Sequence, residues 1–209
     1  MRKTWIIIGL GILAAAWGGL SGLAQRAFFA HMTMHMAVVA VAAPLITIGL
    51  AGQKYDPARR WPGLFAPVPL SILELILVWA WHAPALHHLA RHSWGGFAAE
   101  QGSFLAAGLL VWLSAFGGDE RMRQERAGAG VVALLLTSMH MTLLGALLAL
   151  TPRPLYPHHE GTVSLTALAD QQLGGAIMIL VGGASYLLGG LWLSSSLLRD
   201  RAKQNQVTA

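Results

Sequence analysis

The chain has 209 residues, of which 55% are hydrophobic and only 11% charged, with a mean hydropathy of +0.56. Soluble domains are about a quarter charged, so this composition reads as an all-α, polytopic membrane protein forming one integral domain over residues 1–209. The absence of cysteine excludes disulfides, thiolate metal sites and CxxC redox chemistry, and the net charge of +5 lies in short Lys/Arg clusters between apolar runs, a topology signal that gives no case for nucleic acid.

Six spans are predicted, over roughly 4–22, 30–51, 66–90, 97–118, 129–150 and 170–194, each near the 20 or so residues a membrane helix needs. A polar C-terminal tail follows from about residue 195. Alternate connecting segments carry Arg2 and Lys3; Lys54, Arg59 and Arg60; Arg121, Arg123 and Arg126; and Arg199, Arg201 and Lys203, while the opposite side has only Arg26, Arg91 and Arg153. Eleven against three places both termini in the cytoplasm by the positive-inside rule. The first span opens with Arg2 and Lys3 and ends in GLSGLA, as a signal peptide would, but its apolar run is longer than the usual signal core and favours an uncleaved helix.

The second span opens on FFAHMTMHM, where His31 and His35 stand one helical turn apart with Met34 on the same face and Met32 and Met36 in a neighbouring stripe. Pro44 and, in the third span, Pro84 are expected to bend their helices. The third span also carries Glu74 about two turns above its cytoplasmic end, read as a snorkelling or Arg-paired carboxylate in preference to a protonatable site. His82 lies at its outer end, with His87, His88 and His92 just beyond, where interfacial histidines need no special role.

Glu100 and Gln101 begin the fourth span on the outer side, where a carboxylate complements the helix dipole. Met139, His140 and Met141 fall near the middle of the fifth span, and His158 and His159 in the outer loop after it. Asp170, Gln171 and Gln172 open the sixth, with Asp170 placed as its cap; Met178 and several glycines, which allow close helix approach, follow.

No histidine falls in a cytoplasmic segment. Imidazole and thioether together suit copper, and the thioether suits Cu(I) in particular. The expected ligands are therefore His31, His35, His82 and His140 through nitrogen and Met32, Met34, Met139 and Met141 through sulfur, with Asp170, Gln171, Gln172, Glu100 and Glu74 as further polar candidates.

Taken in order, FFAHMTMHM (28–36), WHAPAL (81–86), EQGSFLAAGLLVW (100–112), MHMTLLGALLALTPRPLYPHH (139–159) and LADQQLGGAIM (168–178) resemble the CtaG family of cytochrome c oxidase assembly factors, over about residues 28–178. Two positions depart from it. Met34 stands where the family often has an amide, in HMxQH, and Gln101 where it often has histidine, which weakens position 101 as a ligand.

The resemblance implies a multi-pass protein of the bacterial inner membrane that matures cytochrome c oxidase by supplying or placing copper from the periplasmic side. The implied partners are oxidase subunits and a periplasmic copper chaperone, with membrane lipid around the bundle. The alternative on the residues themselves is an electron-transfer cytochrome with His35, His82 and His140 as axial haem ligands. A transporter using Glu74 as proton relay ranks below it. No nucleophile, base and orienting group occur at usable spacing, so no enzyme is expected.

Overall fold

The computed structural model describes residues 2–156 and 165–208, and all regular structure among them is helical. His158 and His159 lie outside the described residues. The elements are α1 (Arg2–Gly19), α2 (Ser21–Ala24), α3 (Phe28–Met36), a π-helical turn (Ala37–Ala42), α4 (Ala43–Leu50), α5 (Pro57–Arg60), α6 (Pro67–His82), α7 (Pro84–His92), α8 (Trp94–Phe116), α9 (Glu120–Leu150), α10 (Ala167–Ile177), a second π turn (Met178–Gly183) and α11 (Ala184–Thr208).

Four helical runs are long and apolar enough to cross a membrane: Phe28–Leu50, α8, α9 and Ala167–Arg199. The pair α6 and α7 qualifies together but is bent by 73°. The bend expected at Pro84 is a full break of the third span. Pro84 has no amide hydrogen and its ring disfavours helical geometry at Ala83, which sits in extended backbone (φ −66°, ψ 135°). The helix ends at His82 and restarts in a new direction as α7.

Pro44 acts differently. The π turn just before it absorbs the misfit, and the carbonyls it exposes find partners on other helices: Ser185 Oγ donates to Ala40 O (2.7 Å), and Trp112 Nε1 and Tyr186 Oη donate to Val39 O (3.2 and 3.3 Å). A bundle without water in its core has to satisfy backbone in this way. The core lies where α3, the two π turns, α8, α9 and α10 meet, with Met32, Val38, Val39, Phe104, Leu134, Met141 and Met178 buried.

Small residues set the closest helix contact. A Cβ on Gly175 would lie 2.6 Å from Gly145 O, and one on Gly145 would lie 2.9 Å from Gly175 O, so α9 and α10 touch backbone to backbone. At the Arg-rich end, buried Asp56 accepts from the amides of Gly52, Ala58 and Gly118 (2.7, 2.9 and 2.7 Å), tying two loops together.

Candidate metal centre

The N-terminus of α3, the C-terminus of α6, the start of α8, the later part of α9 and the start of α10 share one end of the bundle, opposite the Arg-rich loops. Asp170 is the link between them. Its two carboxylate oxygens accept from the amides of Phe28 and Phe29 (both 2.8 Å), capping α3, the helix of the HMTMHM stretch. The sequence placed Asp170 as cap of its own helix; that role belongs to Thr166, whose hydroxyl accepts from Ala169 N (3.2 Å). Gln171 accepts from Leu155 N (2.6 Å) and donates to Leu148 O (3.2 Å), while Gln172 donates to Thr151 O (3.4 Å). The three polar residues therefore fasten α10 to α3 and to the end of α9.

Held by this frame, the imidazoles converge. His31 lies against His35, His82 and His87 with ring centroids 6.4, 6.4 and 5.3 Å apart, and His35 and His82 are 5.6 Å apart. His35 also stacks on Phe104 at 3.7 Å, nearly parallel. His31, His35, His82, His87 and His140 are all buried.

Several of their nitrogens have no hydrogen-bond partner: both of His35, both of His140, Nε2 of His82 and Nδ1 of His31 and His87. An unpaired buried polar atom costs about 1–3 kcal/mol, so each of these nitrogens is open to a further partner. His82 is oriented by the hydrogen bond between its Nδ1 and Val78 O, and Tyr156 Oη donates to His82 O (2.7 Å). Burial pushes the Tyr156 hydroxyl above its ordinary range, so it remains a donor.

Two residues read as peripheral in the sequence are central here. His87 faces inward because α7 turns its His87 and Ala90 side toward the bundle, a consequence of the bend at Pro84. Glu100 is not a surface carboxylate at a helix start, since Ser93 caps α8 through Gly96 N (2.9 Å) and Glu100 sits in the second turn, fully buried. His31 Nε2 lies 3.6 Å from Glu100 Oε1, and His31, His87 and Glu100 each bring a ligand atom within 4.8 Å of the others. Gln101 donates to Glu100 Oε2 (3.2 Å) and accepts from Trp17 Nε1 (3.2 Å), so it orients its neighbour.

The methionines divide. Met32, Met36 and Met141 are buried toward α10 and the second π turn, with Met32 beside Gly174 and Met36 and Met141 beside Gly182. Met34 packs with Ala16 and Ala24 of the first two helices. Met139 is 67% exposed on the outer side of α9 and does not join the group. Glu74 is buried well away from it along α6, where Tyr186 Oη and Thr137 Oγ1 (3.2 Å) donate to it and Ser71 Oγ lies 3.0 Å from Thr137 Oγ1. Among the described residues it neither snorkels to the surface nor pairs with Arg, because these hydroxyls satisfy it where it stands.

The sequence profile of the cytochrome c oxidase caa3 assembly factors (Caa3_CtaG) matches residues 1–200. The chain belongs to that family. The match covers nearly all of it, including α1 and the first two thirds of α11, well beyond the 28–178 stretch that carried the resemblance. The Caa3_CtaG assignment places the protein in assembly of cytochrome c oxidase and lends nothing to the haem-cytochrome alternative. No curated protein and no solved structure shows significant similarity to the chain.

Proposed function

We propose that this Caa3_CtaG protein holds Cu(I) transiently for insertion into cytochrome c oxidase, at a site centred on His35, His82 and His140 with His31 beside them. The observation that carries the reading is the set of unpartnered buried nitrogens on His35, His82 and His140. Imidazole lone pairs shielded from water suit Cu(I), which accepts two or three donors, and Met32 and Met141 are buried in the same bundle. A transfer site has to release its cargo, so an under-coordinated ion fits better than a closed tetrahedron.

The membrane arrangement is part of the proposal. α1 joins the four long helices and the bent α6–α7 pair to make six crossings of the bacterial inner membrane, both termini are cytoplasmic, and the histidine end faces the periplasm. A soluble copper chaperone would load the site there, and oxidase subunits would receive the ion. The test is complementation of a strain lacking the protein with the His35→Ala and His140→Ala variants. The expected result is oxidase depleted of copper; normal copper content and activity with both variants present in the membrane would refute the reading.

A further inference from the structure

We propose that His31, His87 and Glu100 form a second metal site, chemically distinct from the Cu(I) site, that takes a divalent first-row cation from the periplasmic end. The three residues come from α3, α7 and α8, all are buried, and their ligand atoms already lie within 4.8 Å of one another. A tetrahedral ion about 2.1 Å from each donor needs those donors about 3.4 Å apart. The His31 to Glu100 distance of 3.6 Å is close to that value, and small side-chain rotations bring His87 in.

Two donor atoms are unspent, since His87 Nδ1 and Glu100 Oε1 have no hydrogen-bond partner, and on His31 it is Nε2 that faces Glu100 Oε1 and would ligate. The supporting residues hold the donors in place. Gln101 occupies only Oε2 of Glu100, leaving Oε1 turned to His31, and Tyr156 packs its ring 4.2 Å from His87. Support of this kind around metal ligands fixes their orientation.

Access comes through a cavity of about 250 Å³ whose lining includes His87, His88, Arg91, His92, Tyr156 and Asp170. His88 and His92 are exposed at its outer side, with their rings stacked 3.8 Å apart. The donor set decides the class of ion. Two imidazoles and a carboxylate suit Zn(II) or Cu(II), and the carboxylate charge favours a dication over Cu(I), whereas the inner site is built on imidazole. Arg91 lines the same cavity with Nε and Nη2 buried and without hydrogen-bond partners. Its positive charge, in the cavity that His87 also lines, opposes an incoming cation, which keeps the site exchangeable.

The inference does not depend on the Cu(I) reading. The probe is Zn(II), titrated into the detergent-purified full chain in competition with a chromophoric chelator. The expected result is one Zn(II) per chain, weakened about tenfold or more by His87→Ala and by Glu100→Gln and retained in His35→Ala and His140→Ala. Glu100→Gln is nearly isosteric, and an unchanged thermal midpoint for it separates lost ligation from lost fold. Zn(II) affinity unchanged in both His87→Ala and Glu100→Gln overturns the proposal, as does a loss in His35→Ala as large as that in His87→Ala, which would mean a single merged site.

Discussion

His31 and Glu100 meet across α3 and α8 with 3.6 Å between Nε2 and Oε1, both side chains buried, and this contact joins the histidine-rich helix to a carboxylate of α8. Glu100 keeps its direction through Gln101, which Trp17 in turn holds. Gln101→Ala is therefore expected to lower Zn(II) affinity about tenfold while leaving Cu(I) affinity near the parent value, both read by chelator competition.

Asp170 is the cap on which the position of His31 and His35 depends. Asp170→Ala leaves the amides of Phe28 and Phe29 without an acceptor and is expected to cost about 1–2 kcal/mol, seen as a lower thermal midpoint in detergent. Asp170→Asn keeps one acceptor oxygen and is expected to fall between the two. Equal midpoints for all three proteins would show that the cap contributes nothing.

Glu74 belongs to a separate network. Removing the Tyr186 hydroxyl with Tyr186→Phe takes a donor from Glu74, while Val39 O keeps Trp112 Nε1, and is expected to destabilise the protein by about 1–3 kcal/mol without changing Cu(I) affinity. Glu74→Gln, which keeps one acceptor oxygen of the two, is expected to be no worse than Tyr186→Phe. A fall in Cu(I) affinity in either variant would tie this network to the metal site.

Met139 and Met141 flank His140 in sequence but part in space. Met139→Leu is expected to change stability by less than about 0.5 kcal/mol and to leave Cu(I) binding intact, because its side chain points away from the bundle core. A loss of Cu(I) affinity in Met139→Leu would place the metal elsewhere.

Much of this architecture is legible in the sequence. Apolar run length marks the helices of Phe28–Leu50, α8, α9 and Ala167–Arg199, and the one-turn spacing of His31 and His35 places both on the buried face of α3. The convergence of His82 on that face depends on which helices are neighbours, which no single helix encodes.

His87 was out of reach for a related reason. Read as the outer end of a span over 66–90 it lies at the interface, and it is the size of the break at Pro84, 73°, that turns α7 so that His87 meets His31. Asp170 was assigned to the nearest helix start, which is the default for a local cap, while the actual partner is 142 residues away in sequence at Phe28. Glu74 lacks an Arg partner because Tyr186 and Thr137, hydroxyl residues with no charge signal, approach it from α11 and α9.

The most direct test of the central claim is an anaerobic Cu(I) competition titration of the purified protein against a chromophoric chelator, with His35→Ala alongside. The account predicts one tight Cu(I) site in the parent and at least about a tenfold loss in the variant. Equal affinity in the two proteins, or no competition by either, would contradict it.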